Sequence, residues 1–183
     1  MALSFKLKNP VFGISSSQER EILRALGKVG VLRYGDADRH FGSQSVERLK
    51  DGKFIKQEKH VVNGKLETVL VVAKKGRDYA RRYLVHGSMY KRSGYQVGHD
   101  IKLSERYLEL EKKERLTWLN DHEVKAYFRE KGLEGEAIDG AYFGDNGELV
   151  GVEVFTKSYS SETIKAKLET LKSCCGRMDI LHA

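Results

Sequence analysis

The sequence predicts an α+β protein made of two modules, and three observations lead to this fold class. Residues 1–95 carry 20 Lys and Arg against 9 Asp and Glu, whereas residues 96–183 carry 13 against 17. Segments with the apolar spacing of helices are interspersed with short β-rich runs in both halves. Glycine and serine are dense just before residue 98, so a boundary is expected near residue 95 between modules 1–95 and 96–183.

The first module begins with a strong helix signal over residues 16–27. Ser16 can cap this helix, and Glu19 lies three positions on, as in a capping box. Ile22 and Leu23 begin an apolar stripe along one side. The sequence therefore predicts an amphipathic helix that packs on a core.

Two shorter helices are predicted next, over residues 35–41 and 43–50. Gly42 separates them, and Ser43 is the expected cap of the second. Two short helices joined by a tight turn that contains glycine form a helix-turn-helix.

A β-hairpin is predicted after these helices. Residues 53–62 and 66–72 are β-rich and flank Asn63-Gly64, a pair that accepts the positive φ angles of a two-residue turn. Another helix is expected over residues 74–84. Three helices, a hairpin and a further helix are the order of a winged helix-turn-helix domain, in which the hairpin is the wing.

Duplex DNA is the expected partner of this basic module, because lysines and arginines bind a polyanion by releasing its counterions. In a winged helix the third helix enters the major groove, and there Gln44 and Arg48 can form paired hydrogen bonds with base edges. The residues expected to contact DNA are Ser43, Gln44, Arg48, Lys50, Lys53, Lys56, Lys59, Lys65, Lys74, Lys75 and Arg77, with Arg81 and Arg82 behind them. Two alternatives stay open, a protein-docking module with solvated lysines and a transcriptional regulator.

The second module is predicted to be a small α/β domain. Its expected elements are helices over 103–115 and 121–131, strands over 136–143 and 148–156 around a turn at 144–147, a helix from Ser160 or Ser161 to 173, and a strand over 177–181. Asp121 is the expected cap of the second helix.

An acidic residue on each strand of the second hairpin suggests a chemical site. Asp139 and Glu153 flank the turn, so strand pairing brings them onto neighbouring strands. The strand register decides whether both point to one face, where two carboxylates can share Mg²⁺. This arrangement resembles the core of PD-(D/E)xK nucleases. In that class a lysine follows two residues after the second acid, but this chain has Phe155 there. Lys157 shares the strand face of Glu153 if the strand continues, and the next candidate, Lys165, lies on the following helix.

Over most of its length the chain resembles the replication-relaxation family of plasmids and integrative elements. The resemblance rests on Ala73-Lys74-Lys75-Gly76-Arg77, Gly98-His99-Asp100, Ile138-Asp139-Gly140, and Val152-Glu153-Val154 followed by Tyr159 and a helix with Ile164 and Lys165. It implies a role in replication, relaxation or transfer of mobile DNA, with a nuclease-like second domain. Because Phe155 replaces the lysine of the nuclease motif, metal-dependent cleavage by Asp139, Glu153 and Lys157 is an alternative to a role in DNA binding. The adjacent His99 and Asp100 are expected to form a structural hydrogen-bonding pair.

The sequence also argues against several other classes of protein. The apolar run at residues 68–73 is far too short for a membrane span, the N-terminus shows no signal core, and adjacent Cys174 and Cys175 disfavour a disulfide framework. Phosphate-loop, dinucleotide and serine-hydrolase motifs are missing from the sequence, which argues against a nucleotide cofactor. A cytoplasmic protein is expected. Since winged-helix proteins commonly act on paired half-sites, a homodimer is also an expectation.

Overall fold

The computed structural model describes residues 13–92 and 96–183, and in these residues the protein is mixed α+β. The boundary expected near residue 95 lies outside the described residues, as does the N-terminal stretch of residues 1–12. The helices are α1 (Ser17–Val29), α2 (Tyr34–Phe41), α3 (Ser43–Asp51), α4 (Lys74–Tyr83), α5 (Val97–Glu109), α6 (Lys112–Leu116), α7 (Asp121–Lys131) and α8 (Ser161–Cys174). The strands are β1 (Val31–Arg33), β2 (Ile55–Val62), β3 (Lys65–Val72), β4 (Leu119–Asn120), β5 (Gly140–Phe143), β6 (Leu149–Phe155) and β7 (Arg177–His182).

Helix α1 begins at the predicted capping box. The Ser16 hydroxyl accepts a hydrogen bond from the Glu19 backbone N–H at 3.0 Å, and the Glu19 carboxylate accepts one from the Ser16 N–H at 3.3 Å. Two otherwise unsatisfied N–H groups of the first turn are thereby paired. Glycine ends the helix, with Gly30 at φ 79°.

The cap predicted for α3 is wrong. Gly42, with φ 82°, is the residue that precedes this helix, and Ser43 is its first helical residue. No side chain caps the α3 N-terminus, because the residue at the cap position has none. Gly42 takes a left-handed φ that serine adopts only at a cost, so the turn between α2 and α3 selects glycine.

The first sheet has the strand order β1-β3-β2, and all its pairs are antiparallel. The predicted hairpin is confirmed: Asn63 has φ 50° and Gly64 φ 76°, the positive values that its two-residue turn requires. Strand β1 was not predicted, because three residues are too few to show alternation. One face of the sheet joins the core around α1–α3, and the other packs on α5.

Helix α5 lies between the two sheets. Val97 and Ile101 pack on Val31, Val69 and Val71 of the first sheet. On its other side, α5 contributes Leu103 and Tyr107 to a core cluster that also contains Leu23 of α1 and Val152 of β6. A continuous apolar core therefore links residues on both sides of position 95.

The helix predicted over residues 103–115 is two helices. Helix α5 starts earlier, at Val97, and ends at Glu109, and Leu110 has an extended backbone with ψ 150° before α6 begins. Glu111 and Glu114 form a second capping box there, which pairs the free N–H groups at the start of α6. A local capping signal thus breaks a continuous apolar pattern.

The second sheet has the order β4-β5-β6-β7. Strands β5 and β6 form the predicted hairpin, and β7 returns parallel to β6 after α8. Helix α7 is capped by Asn120 and not by the predicted Asp121, since the Asn120 side chain accepts the Glu123 N–H at 3.1 Å. Strand β5 starts only at Gly140, so Asp139 lies just before it. Within the described ranges, no helix has both the length and the apolar character needed to cross a membrane.

Candidate functional site

The residues predicted to act form two candidate sites. The first site lies on the exposed side of α3. Val46 and Leu49 are buried in the core, whereas Gln44 and Arg48 are exposed on the opposite side. These two are four residues apart and so lie on one face of the helix. Arg48 is 57% exposed although its guanidinium lies 3.7 Å from the Glu19 carboxylate, so it remains available to a ligand.

Strand alternation divides the hairpin lysines between the two faces of the first sheet. Gln57 pairs with Leu70 and Lys59 with Thr68, which places them on the face that packs on the α1–α3 core. Lys56 pairs with Val71, so it lies on the face toward α5, and so does Lys65, the partner of Val62. The predicted wing lysines therefore do not form one surface.

Two of the predicted DNA-binding lysines are held by neighbouring carboxylates. Lys50 lies 2.9 Å from the Glu47 carboxylate, which also accepts a hydrogen bond from the Tyr34 hydroxyl, and Lys56 lies 2.9 Å from Glu58. The remaining residues predicted to contact DNA are exposed, although they do not share one face: Ser43, Lys53, Lys59, Lys65, Lys74, Lys75 and Arg77.

The second group is a cluster of ionisable side chains at the start of the β5–β6 hairpin. Continuing the register of Gly140 with Val152 places Asp139 opposite Glu153. The Asp139 N–H donates to Glu153 Oε2 at 3.2 Å, and the Val154 N–H donates to Asp139 Oδ2 at 2.8 Å. The structure thus brings together the two predicted acids. Glu153 is fully buried, because β6 is a central strand that is buried along its whole length.

His99 and Asp100, in the first turn of α5, extend this cluster. His99 Nε2 lies 2.9 Å from Asp139 Oδ2, and Nδ1 lies 3.2 Å from Asp100 Oδ1. The Tyr90 hydroxyl donates to the same Asp100 oxygen at 2.7 Å. The expected pairing of His99 with Asp100 is present, but the contact with Asp139 was not foreseen, since nothing local in the sequence relates residues 40 positions apart.

The lysine of the cluster is Lys167, which sequence reasoning missed. Its Nζ lies 2.6 Å from Glu153 Oε1 and donates to the Ala137 carbonyl at 2.7 Å. Lys157 is exposed in a turn, because β6 ends at Phe155 and the strand that would carry it does not continue. Lys165 is also exposed. A signal was available, since Lys167 lies three residues after Ile164 and four before Leu171, on the inward side of α8.

Burial and mutual charge shift the pKa values in the cluster. Burial, with the nearby Asp139 charge, raises the pKa of Glu153. Burial alone would lower the pKa of His99, but its hydrogen bonds and charge interactions with Asp100 and Asp139 outweigh that and raise it to about 9. Burial and the Asp139 and Glu153 charges raise the pKa of Tyr159 to about 12, so its hydroxyl stays protonated at neutral pH. His99 is therefore a cation at neutral pH, paired with Asp139.

A cleft of about 380 Å³ opens at this cluster. Its lining comes from three parts of the chain: residues 60–63 at the end of the β2–β3 hairpin, residues 96–99 at the start of α5, and residues 156–158 after β6, together with Ala183. His99, which belongs to the cluster, and Lys157, which lies outside it, both line this cleft. The hairpin turn and the ionisable cluster thus meet at one opening.

The sequence predicts Mg²⁺ at Asp139 and Glu153, and the geometry does not fit that ion as arranged. Both Glu153 oxygens contact protein donors, and Asp139 Oδ2 accepts two contacts, from His99 and Val154. Mg²⁺ needs oxygen ligands in a near-octahedral shell, whereas His99 and Lys167 are cations in its place. Among residues 13–92 and 96–183, no group of three or more His, Cys, Asp or Glu side chains is arranged to hold a metal ion.

The residues of the cluster come from parts of the chain that are far apart in sequence: α5, the residue before β5, β6 and α8. No family model, no curated protein and no solved structure matches this chain.

Proposed function

We propose that the protein binds duplex DNA through the face formed by α3 and the adjoining side of the β2–β3 hairpin. The observation that carries this proposal is the pair Gln44 and Arg48, both exposed on one face of α3 and both able to form paired hydrogen bonds with a base edge. Lys53, which follows α3, and Lys59, on the sheet face that packs on the α1–α3 core, are exposed and supply charge for phosphates.

The fold proposed for this DNA-binding part is a winged helix-turn-helix. What supports it is the element order α1-β1-α2-α3-β2-β3 with the sheet order β1-β3-β2, in which the hairpin follows the third helix directly. In this fold the third helix reads the major groove while the hairpin contacts the backbone beside it. The resemblance to the replication-relaxation family suggests that the DNA is that of a mobile element, and that the binding serves its replication, relaxation or transfer.

The test is duplex selection from a random library, followed by measurement of Kd across a salt series. Alanine at Gln44 or Arg48 should weaken binding to the selected duplex by roughly 1–3 kcal/mol per lost base contact. Arg129→Ala, an exposed change on α7 with the same loss of charge as Arg48→Ala, is the matched control and should leave Kd within about twofold.

Arg48→Lys is a more specific test, because it keeps the positive charge and removes the planar guanidinium group that forms two parallel hydrogen bonds. We expect the salt dependence to be retained and the preference for the selected sequence to fall. Unchanged affinity of the alanine variants would show that α3 is not the reading helix. Thermal unfolding of each variant separates lost contacts from lost folding, since Arg48 also lies near Glu19.

A second candidate function is phosphodiester cleavage at the cleft above His99. One observation favours it: the hairpin turn at Asn63 and His99 of the charged cluster line the same opening, so DNA bound at the hairpin would lie close to this cluster. Conversion of supercoiled plasmid to nicked circles, with added Mg²⁺ or with a chelator, tests this candidate. Cleavage by the native chain that is lost in Asp139→Asn supports this candidate. If the native chain does not nick the plasmid, the candidate is contradicted and DNA binding is the only proposed function that stands.

A further inference from the structure

A second cleft, of about 480 Å³, has a lining that is strongly cationic. It opens between the end of α1, the start of β2, the end of β3, α4 and residues 89–92. Its cations come from three separate segments: Lys56 of β2, Arg77 and Arg81 of α4, and Lys91 and Arg92 of the following segment.

These cations greatly exceed the carboxylates that neutralise them. Glu58 contacts two of them, Arg92 at 2.6 Å and Lys56 at 2.9 Å. In the part of the chain that the structure describes, Arg77, Arg81 and Lys91 form no ion pair. Gathering like charges without counter-charges is unfavourable, and an anionic ligand would relieve that repulsion.

The floor of the cleft is apolar, in contrast to its rim. Leu26, Val71, Val72 and Met89 line it. Tyr90 also lines the cleft, with its hydroxyl turned away to Asp100. A volume within the usual range of small-molecule sites, an apolar floor and a few convergent charged groups are the features of a ligand pocket.

We propose that this cleft binds a ligand that carries two or more adjacent phosphate groups. Guanidinium groups pair with phosphate oxygens through two parallel hydrogen bonds, and Arg77 and Arg81, one helical turn apart on α4, present two such groups side by side. A free nucleoside polyphosphate and the phosphates of a nucleic-acid strand share this chemistry. The site does not depend on the α3 face, because Lys56 lies on the sheet face opposite Lys59.

Two neighbouring arginines of α4 provide a matched pair of variants. Arg81 lines the cleft, whereas Arg82 lies over the Tyr83 ring at 5.5 Å and is not among the lining residues. Both are exposed, so glutamine at either position removes the same charge from the same helix.

The experiment is calorimetric titration of the full chain with inorganic triphosphate at fixed salt. We expect binding by the native chain, a loss of affinity of at least about fivefold in Arg81→Gln, and a change within about twofold in Arg82→Gln. Equal losses in the two variants, or no heat of binding with the native chain, would overturn the proposal.

Further arms identify the source of the phosphates and separate this site from duplex binding. If the selected duplex displaces triphosphate, the natural phosphates belong to nucleic acid. If the duplex and triphosphate bind together, the natural phosphates belong to a free compound. Either result supports the cleft, provided that Arg81→Gln binds triphosphate more weakly than the native chain does. Gln44→Ala/Arg48→Ala should leave triphosphate affinity within about twofold. Loss of triphosphate binding in that double variant would place the anion on the α3 face and overturn the cleft, whatever the outcome for duplex DNA.

Discussion

His99 Nε2 lies 2.9 Å from Asp139 Oδ2, and this contact joins the first turn of α5 to the residue that precedes β5. Both side chains are largely shielded from water, with 4% of His99 and 15% of Asp139 exposed. An ion pair in such surroundings is strongly coupled to the protonation of its partners. The cluster around it is therefore where the stability of the fold should respond to pH.

The first prediction concerns that pH response. The pKa of His99 in the folded protein, about 9, is above its ordinary value of 6.5, so the folded state holds the proton more tightly. Its contribution to stability is fully present below pH ~6.5 and is lost as the pH rises through about 9, a change of roughly 3 kcal/mol. The raised pKa of Glu153 acts in the same direction at lower pH, between its ordinary value of 4.5 and about 7. Urea unfolding across this pH range measures it.

Replacement of His99 separates its share of that response from the rest. His99→Gln should reduce the decline in unfolding free energy between about pH 6.5 and pH 9, because the group that titrates there is gone. The same slope in the variant and in the native chain would contradict the assignment of the proton to His99.

The second prediction concerns the lysine of the cluster. Lys167→Ala should destabilise the fold by roughly 3–5 kcal/mol, because it leaves the fully buried Glu153 carboxylate without its cation. Lys165→Ala, an exposed change on the same helix, should lie within about 0.5 kcal/mol of the native chain. Chemical unfolding of both variants is the measurement, and comparable losses would mean that Lys167 is not the partner of Glu153.

The third prediction concerns Tyr90, which connects residues 89–92 to the cluster. Its hydroxyl donates to Asp100 Oδ1 at 2.7 Å, while Asp100 Oδ2 is buried without a hydrogen-bond partner in the described structure. Tyr90→Phe removes one of the few donors to a fully buried carboxylate, so we expect a loss of about 1–3 kcal/mol. Tyr83→Phe on exposed α4 should change the unfolding free energy by less than about 0.5 kcal/mol. A neutral Tyr90→Phe would show that the Asp100 carboxylate does not need this donor.

The fourth prediction concerns the contact between α4 and the start of β2. A Cβ at Gly76 would lie 2.1 Å from the Phe54 carbonyl oxygen, a backbone atom that cannot rotate away. Gly76→Ala should therefore force α4 off the sheet and cost roughly 2 kcal/mol or more. Gly35→Ala on α2 meets no atom within 4 Å, and alanine favours a helix, so that variant should be as stable as the native chain or more so. Thermal unfolding compares the two, and a well-tolerated Gly76→Ala would refute the close approach.

Sequence reasoning located most elements because their signals are local. The capping box of Ser16 and Glu19 fixes the start of α1, and the φ preferences of Asn63-Gly64 fix the turn of the first hairpin. The wrong predictions also have a local cause. The sequence pattern predicts Ser43 and Asp121 as helix caps, but Gly42 and Asn120, one position earlier, occupy the cap positions. Where two adjacent residues can both occupy the cap position, the local sequence does not show which of them does.

The sequence by itself determined most of the helices and both hairpins, and it placed Asp139 and Glu153 on the two sides of the second turn, because backbone preferences act over a few residues. The strand register that sets these two acids opposite each other came from the structure. Only the tertiary structure decided which cations meet those acids. His99 arrives on α5 and Lys167 on α8, and the docking of these helices against β6 selects them over Lys157 and Lys165. The same holds for the second cleft, where Lys56 and Arg81 converge from separate elements. Packing between distant segments is a property of the whole core, so no local pattern of residues encodes it.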